Sequence, residues 1–348
     1  MPTWPGLLSA LLRGTDLGPA DTRWAMDQVI AGESTPAQVA AFVIALRAKG
    51  ETTDEVLGLA TAMLDHAPSV VVEGMVVDTC GSGGDGAHTV NISTMAAVVV
   101  AATGARVVKH GNRAASSACG SADVLEALGV AVDLNPQQVA ACIGHVGIGF
   151  CFAPVFHAGM RHAASPRREM GVPTVFNFLG PLTNPARPQA QAVGVSDARM
   201  APVMAGVLAA RGTSALVFRG DDGLDELSTT TTSKVWIVYD GHITESQVDP
   251  AALGITAPAA DGLRGADPQY NADVARRMFA GEQGAVRDAV LLNAAAALVA
   301  LNGSTDPLEP RLAAAMRRAA DALDEGLTAQ LLERWVQVSR ELASHTRT

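Results

Sequence analysis

The fold of this chain is decided by residues 76–121, which read VVDTCGSGGDGAHTVNISTMAAVVVAATGARVVKHGNRAASSACGS. A short apolar run at 75–77 predicts a buried strand that ends at Asp78, and a glycine turn, residues 81–86, comes next. Glycines adopt positive φ and let backbone N–H groups approach an anion closely. The stretch therefore predicts a strand, an anion-holding turn and a helix in succession.

The rest of the stretch supplies further anion-holding devices. Asn91, Ser93 and Thr94 open an apolar helix that runs to Gly104. These residue types favour a helix N-terminus, where free N–H groups and the helix dipole attract anions. A second strand at 106–108 ends in a basic turn, residues 109–113, and a serine-rich turn precedes another helix. We expect the strand ends and helix starts to converge on a polyanion.

Two familiar nucleotide motifs do not account for the glycine turn. It matches G-x-G-x-x-G at Gly81, Gly83 and Gly86, but the helix starts later, at Asn91. No acidic residue follows at the distance that a dinucleotide fold needs, and no Gly-Lys-Ser/Thr of a P-loop is present. A purely structural turn is the other interpretation, and the basic turn favours an anion site over it.

Taken together, these motifs resemble the anthranilate phosphoribosyltransferase family. The family pattern has a Gly-Thr-Gly-Gly-Asp turn, an Asn-Ile-Ser-Thr helix start and a Lys-His-Gly-Asn-Arg turn, which stand here at 81–85, 91–94 and 109–113. Ser82 replaces the usual Thr, and His88 stands where Asn is expected. The resemblance covers nearly the whole chain. It implies transfer of a phosphoribosyl group from 5-phosphoribosyl 1-diphosphate to the amine of anthranilate, in tryptophan biosynthesis.

The resemblance also implies substrate contacts, residue by residue. Backbone N–H groups of the glycine turn and the 91–94 helix start would hold the diphosphate, and Lys109 with residues 112–117 the remaining phosphate and ribose. No catalytic side chain is assigned, although His110 is a candidate for lining the pocket of the amine. The donor contacts are Gly81, Gly84, Asp85, Thr89, Asn91, Ile92, Ser93, Thr94, Lys109, His110, Gly111, Asn112, Arg113, Ala114, Ala115, Ser116, Ser117 and Ser121, and the anthranilate contacts are Gly81, Asn112 and Arg167.

Two adjacent arginines, Arg167 and Arg168, are candidates for the carboxylate of the acceptor. A guanidinium presents a planar fork of donors that matches a carboxylate. The resemblance implies that Arg167 binds the anthranilate carboxylate and that Arg168 is structural. Arg161 and His162, one turn earlier, are less favoured.

An acidic loop, residues 221–226, carries four carboxylates. One interpretation is an exposed acidic turn. The other is a magnesium site, since Mg²⁺ takes one or two carboxylates together with substrate phosphates and waters. The resemblance favours Asp225 and Glu226 over Asp221 and Asp222 as metal ligands and adds Ser93. It implies two Mg²⁺ ions with the diphosphate substrate.

Composition restricts the class of protein. The 348 residues suffice for two domains, and the net charge of -10 argues against a nucleic-acid partner. Four cysteines without C-x-x-C spacing predict a reduced, cytoplasmic protein without a zinc site. The N-terminus has no signal-peptide pattern, and the apolar runs near 98 and at 291–301 are short for a membrane span. We therefore expect neither nucleic-acid nor membrane partners.

The pattern predicts an α/β fold with a small all-helical domain at residues 1–70 and a large α/β domain at 73–348. Amphipathic segments dominate the first part, whereas strands and helices alternate later, which indicates a central, mostly parallel sheet flanked by helices. By resemblance, part of 160–190 joins the helical domain, through which a homodimer would form. Strands are predicted at 75–79, 105–108, 131–134, 147–150, 191–195, 215–218 and 234–239.

Two other classes of function remain open from the sequence. A pyrimidine nucleoside phosphorylase of the same architecture would need a phosphate and nucleoside site, but neither the Asp225–Glu226 pair nor Arg167. A relative that keeps the fold and binds nucleic acid is opposed by the negative charge and by the intact turns.

Overall fold

The structure, a computed structural model, describes residues 1–114 and 118–344. Ala115, Ser116 and Ser117, which were predicted to contact the donor, lie outside the described residues. The α-helices are α1 (Trp4–Leu12), α2 (Pro19–Ala31), α3 (Pro36–Lys49), α4 (Thr53–His66), α5 (Ile92–Ala102), α6 (Ser121–Leu128), α7 (Pro136–Val146), α8 (Ala153–Phe156), α9 (Ala164–Met170), α10 (Met200–Ala210), α11 (Pro268–Phe279), α12 (Ala285–Asn302), α13 (Leu308–Asp324) and α14 (Leu327–Ser344). The strands are β1 (Val77–Gly81), β2 (Val107–Gly111), β3 (Ile148–Phe152), β4 (Ala190–Gly194), β5 (Ser214–Gly220), β6 (Ser233–Tyr239) and β7 (His242–Val248).

Helices α1 to α4 form the helical part that the sequence predicts. Thr35 and Thr52 cap α3 and α4, and each forms a reciprocal capping box with the residue three positions later, Gln38 or Glu55. A capping box satisfies two N–H groups that the helix itself leaves without partners. This local chemistry explains why the starts of both helices were predictable.

The strands of the described residues form one seven-stranded sheet in the order β3-β2-β1-β4-β5-β6-β7. The first five strands in this order are parallel, and β6 and β7 join antiparallel at one edge. Helices α5 and α12 pack on one face of the sheet and α10 on the other. The predicted α/β class with a mostly parallel sheet is confirmed.

The strand predicted at 131–134 is wrong. Residues 131–135 form an irregular connection in which Val132 and Leu134 are buried, so the alternation of apolar residues reflects core packing without sheet pairing. The N–H of Ala131 donates to Ser339 Oγ at 3.1 Å instead of to a strand. Strand β7 was not predicted because it is an edge strand whose residues are mostly polar and exposed.

The end of β1 also differs from the prediction. The strand continues past Asp78 to Gly81, with Asp78 fully buried. Its carboxylate accepts from Asn184 Nδ2 at 2.9 Å and from the N–H of His110 at 3.3 Å. Hydrogen bonds of this kind make a buried carboxylate compatible with a strand interior.

Residues 158–182 lie against the helical part of the chain. The 3₁₀ turn Ala158–Ala163 contacts α2, and α9 contacts α3. Phe176 and Phe178 share an apolar cluster with Phe42, and that cluster extends onto one face of the sheet. These contacts support the expected membership of part of 160–190 in the helical domain, whose boundaries stay a prediction.

Helix α12 is long and apolar enough to cross a membrane by length and composition, although the sequence had indicated too short an apolar run. It is 72% buried inside the fold. It packs against α5, α13 and three strands, which identifies it as the central helix of the α/β core.

The hydrogen bonds that Asn184 donates to Asp78 and Val108 lead to a prediction about stability. Asn184 donates to Asp78 Oδ2 at 2.9 Å and to the carbonyl of Val108 at 2.7 Å, so it joins β1 to β2. Asn184→Ala leaves both acceptors without this donor, and we expect a loss of about 2–3 kcal/mol in the free energy of unfolding, measured with urea. Asn302→Ala, at an exposed helix end, is the control and should change stability by less than about 0.5 kcal/mol. Equal losses of unfolding free energy in the two variants would contradict the stabilising role of these Asn184 hydrogen bonds.

Candidate active site

The glycine turn, the start of α5 and the acidic loop meet at the carboxyl ends of the parallel strands. Asp225 Oδ2 accepts a hydrogen bond from the N–H of Gly83 at 2.6 Å. Glu226 Oε1 accepts one from the N–H of Ser93 at 3.1 Å. Ligands of open parallel sheets bind at this edge. Three stretches that are far apart in sequence therefore form one site.

Two glycines make this close approach possible. A Cβ on Gly194, at the end of β4, would lie 1.6 Å from the carbonyl oxygen of Asp225. A Cβ on Gly81 would lie 2.1 Å from Asp225 Oδ2. Any side chain at either position would displace the acidic loop from the glycine turn.

The glycine turn keeps backbone N–H groups available, and that of Gly84 is one of them. Gly83 and Gly84 have φ of 73° and 83°, which is left-handed backbone that favours glycine. The N–H of Gly83 is engaged by Asp225, whereas the N–H of Gly84 has no acceptor among residues 1–114 and 118–344. The Gly84 N–H is therefore available to an anion placed at the turn.

His88 has φ of 53°, so it also takes a left-handed conformation. Asn and His are both enriched in that region of backbone space. The carbonyl of His88 accepts from the N–H of Gly265 at 2.8 Å. The departure from the expected Asn thus keeps a residue type that tolerates this conformation, and its neighbour Thr89 bridges to Arg264.

The carboxylates of the acidic loop are crowded. Burial, followed by the charge of Asp85, raises the pKa of Asp225 to about 7. Burial and the charge of Asp225 raise the pKa of Glu226 above its usual value, and the ammonium of Lys109 opposes that rise. In contrast, Asp222 accepts from Ser228 Oγ at 2.6 Å within its own loop. Ionising the pair at 225–226 therefore costs free energy that a bound cation would offset.

This donor set fits Mg²⁺. No group of three or more His, Cys, Asp or Glu residues with the geometry for a metal ion occurs in the part of the chain that the structure describes. Mg²⁺ does not need one, because it binds through one or two carboxylates and completes its shell with phosphate oxygens and water. Asp225, Glu226 and the Ser93 hydroxyl are the residues that would hold it.

Lys109 lies beneath the site and is only 1% exposed. Its Nζ donates to the carbonyl of Thr79 at 2.6 Å and to Ser93 Oγ at 3.2 Å. The ammonium therefore holds Ser93 and offsets the charge of Glu226 in this structure. Its direct contact with a phosphate stays a prediction.

Two histidines lie edge to face behind the basic turn, and one of them was not singled out from the sequence. The rings of His110 and His157 have centroids 5.2 Å apart. His110 Nδ1 is 2.9 Å from the carbonyl of Gly180, so Nδ1 donates and Nε2 carries a lone pair. Nε2 is buried without a hydrogen-bond partner among the described residues. Burial, together with His157, lowers the pKa of His110 to about 3, so the ring is neutral.

The basic turn ends in a cation that α6 already engages. Arg113 Nη1 lies 2.5 Å from Glu126 Oε2 and 3.0 Å from Asp123 Oδ1. Asp123 also accepts from the N–H groups of Ala114 and Gly120, both at 2.9 Å. The predicted donor contact of Arg113 would require a change of partners.

The other predicted donor residues line the same edge of the sheet or lie directly beneath it. Ile92 and Thr94 are buried in the first turn of α5. Asn91 donates to the carbonyl of Cys119 at 3.0 Å, which ties the start of α5 to the loop before α6. Gly111 ends β2 and Asn112 follows it, and Ser121 Oγ donates to the Asn112 carbonyl at 3.2 Å.

Arg167 is free of acidic partners within the described residues. Its guanidinium lies over the ring of Phe176, 5.7 Å from the centroid, and desolvation lowers its pKa. Residues 176–180 form one short segment. Arg167 contacts this segment at Phe176, and His110 contacts it at Gly180. Arg168 is exposed and makes no hydrogen bond within the described residues, which gives its expected structural role no support.

Comparisons with known proteins place the chain among transferases. A family model described as the helical bundle domain of a glycosyl transferase family matches residues 5–67, and the a/b domain of that family matches residues 73–329. An anthranilate phosphoribosyltransferase from Streptomyces griseus is 60% identical over 97% of this chain and 95% of the relative.

Solved structures agree with these matches. The crystal structure of anthranilate phosphoribosyltransferase from Thermus thermophilus superposes with a TM-score of 0.89 at 39% identity, over 96% of this chain and 99% of that one. The enzyme from Saccharomyces cerevisiae in complex with PRPP and Mg gives a TM-score of 0.88 at 25% identity, over 97% and 98% of the two chains.

The raised pKa of Asp225 predicts a pH dependence of stability. The folded state holds this proton up to about pH 7, whereas the unfolded carboxyl releases it near its ordinary pKa of 3.8. Unfolding therefore releases protons between these two values, and the stability of the metal-free protein should fall as pH rises from about 4 to about 7. Thermal unfolding should show a smaller fall in Asp225→Asn.

Mg²⁺ provides the control for that experiment. It should raise the melting temperature of the wild type more at about pH 8 than at about pH 5, because protons compete for its ligands. A wild type and an Asp225→Asn variant with the same pH dependence would show that Asp225 does not titrate as described.

Proposed function

The chain belongs to the anthranilate phosphoribosyltransferase family, and on this premise we propose which residues carry the reaction. The protein transfers the phosphoribosyl group of 5-phosphoribosyl 1-diphosphate to the amine of anthranilate. The products are N-(5-phosphoribosyl)anthranilate and diphosphate, in tryptophan biosynthesis. The observation that carries the proposal is the convergence of the glycine turn, the start of α5 and the acidic loop at one sheet edge.

The donor side of the site stabilises a polyanionic leaving group. The C1–O bond to diphosphate breaks as the amine nitrogen bonds C1, and the amine loses one proton to water or to the departing diphosphate. The free N–H of Gly84 and the start of α5 would bind the diphosphate. Mg²⁺, of which we propose two ions, supplies charge neutralisation of the diphosphate when bound by Asp225, Glu226 and Ser93.

The acceptor side positions the amine without strong base catalysis. His110 Nε2 carries a buried lone pair that would accept a hydrogen bond from the amine. A pKa of about 3 makes this nitrogen a poor proton acceptor near neutral pH, so its role is orientation. Arg167, which has no acidic partner among the described residues, would bind the carboxylate of anthranilate.

The acidic loop favours this reaction over phosphorolysis of a pyrimidine nucleoside. A phosphorylase has no need for carboxylates pressed against the anion-binding turn, because they would repel free phosphate. Asp225 and Glu226 occupy that position here. The donor of a phosphoribosyl transfer instead brings Mg²⁺ with it, which turns the repulsion into a binding contribution.

We also propose a cytoplasmic homodimer. The four cysteines, all within the described residues, are buried and form no disulfide with one another, which fits a reducing compartment. Leu12 on α1 is 81% exposed and Ile44 on α3 is 39% exposed, so the helical part presents apolar side chains that a second copy would cover.

The loss of anthranilate fluorescence, with and without donor and Mg²⁺, tests the activity and the metal site together. The wild type should consume anthranilate only when both are present. Asp225→Asn/Glu226→Gln should nearly abolish turnover at low Mg²⁺ with a native circular dichroism spectrum, because the ion loses both carboxylates. The matched control is Asp221→Asn/Asp222→Asn in the same loop, which should keep most of the activity. Normal turnover of the 225–226 double variant would disprove the metal assignment.

Arg167 gives a prediction for the acceptor. Arg167→Ala removes a charge-assisted hydrogen-bond pair to the anthranilate carboxylate, worth about 1.5–3 kcal/mol. The KM for anthranilate should therefore rise about 10- to 100-fold, while the KM for the donor changes little. Arg168→Ala is the control, since both arginines are exposed residues but only Arg167 lies over the ring of Phe176. A donor-side defect in Arg167→Ala, or equal effects of both variants, would refute the assignment.

A further inference from the structure

We propose that Ser196 is a positioning residue for the donor: its hydroxyl orients the peptide between Gly83 and Gly84 and so aims the Gly84 N–H at the diphosphate. Ser196 lies two residues after the end of β4, at the same sheet edge as the glycine turn. The inference rests on the proposed function, because the diphosphate is the group that this N–H would bind.

The hydroxyl of Ser196 holds the carbonyl of the turn. Ser196 Oγ donates to the carbonyl oxygen of Gly83 at 2.8 Å. The N–H of Ser196 donates to Ser82 Oγ at 3.1 Å, and the two hydroxyl oxygens are 3.3 Å apart. Ser82 Oγ lies 3.1 Å from the same Gly83 carbonyl. Each hydroxyl can donate its proton to the Gly83 carbonyl oxygen while Ser82 Oγ accepts from the N–H of Ser196. Two hydroxyls therefore fix one peptide oxygen.

Fixing this oxygen also fixes the neighbouring N–H. In a planar trans peptide the C=O and the N–H point in opposite directions, so the Gly83 carbonyl determines where the Gly84 N–H points. Both flanking residues are glycines with positive φ, and such a peptide rotates easily unless something holds it. The Gly83 N–H is already engaged by Asp225, which leaves the Gly84 N–H as the group that Ser196 orients.

Ser196 is itself held by three parts of the fold. Its carbonyl accepts from Arg219 Nε, on β5, at 2.8 Å. The next residue, Asp197, accepts from the N–H groups of Arg199 and Met200 at the start of α10, at 2.8 and 3.3 Å. Asp197 also pairs with Arg47 of α3. A glycine-rich turn therefore takes its geometry from a rigid support built from β5, α10 and the helical part.

The test is Ser196→Ala, studied by calorimetric titration with magnesium diphosphate and by steady-state kinetics. We expect the Kd for magnesium diphosphate and the KM for the donor to rise about five- to tenfold, which is the range for one hydrogen bond. The KM for anthranilate should stay within about twofold of the wild type, because the peptide that Ser196 holds is not among the predicted acceptor contacts. Ser196→Thr keeps the hydroxyl and should restore both donor values.

Ser214→Ala is the matched control. Ser214, at the opposite end of β5, also donates its hydroxyl to a backbone carbonyl, that of Ala300, at 2.6 Å. Both alanine variants lose one hydrogen bond of the same kind, so both should melt earlier, but only Ser196→Ala should weaken diphosphate binding. The melting curves report the structural cost, and the titration reports the positioning.

The outcomes separate the inference from the proposed function. Unchanged diphosphate binding in Ser196→Ala, equal changes in both KM values, or the same defect in Ser214→Ala would overturn the inference. A wild type that binds magnesium diphosphate but does not consume anthranilate would overturn the proposed function alone, because the titration still measures Ser196.

Discussion

The site depends on one buried ammonium among several buried carboxylates. Lys109 lies within electrostatic range of Asp78 and Glu226, and burial raises the pKa of Asp78 to about 6 despite that ammonium. Its Nζ joins β1 to the start of α5 through the Thr79 carbonyl and Ser93 Oγ. This one ammonium therefore lowers the free-energy cost of burying carboxylates at this end of the sheet. It does not neutralise the acidic loop above it.

That remaining charge explains how an acidic chain handles a polyanionic substrate. With a net charge of -10, no long-range field draws the donor in, and the acidic loop would repel a bare diphosphate. Mg²⁺ held by these carboxylates, as we propose, would reverse the sign of that local interaction, because a cation attracts both carboxylate and phosphate oxygens. The same carboxylates would then discriminate between a metal-bound donor and a free anion.

Much of this arrangement was predictable because it depends on residues that are close together in the sequence. Capping residues at Thr35 and Thr52, the glycine turn and the basic turn each specify a backbone conformation through neighbouring residues alone. The irregular segment at 131–134 was mistaken for a strand because buried coil and strand share the same apolar alternation. Strand β7 was missed because an exposed edge strand does not need apolar residues.

Contacts between distant segments could not be predicted from local sequence patterns. Nothing near Asp78 indicates that Asn184, more than a hundred residues away, satisfies its carboxylate and lets β1 continue. Ser196 differs in this respect, because a serine directly after a predicted parallel strand lies where ligands bind, and the rule applied to β1 and β2 would have selected it.

The nearby acidic loop also explains why the glycine turn lacks cations of its own. A lysine or arginine there would bind the acidic loop permanently and occupy the place of Mg²⁺. Backbone N–H groups carry only partial charge, so Asp225 holds the Gly83 N–H without being neutralised, and its pKa stays raised. Glycines at this position therefore keep the carboxylates available for the metal while Ser196 and Ser82 supply the rigidity that glycine lacks.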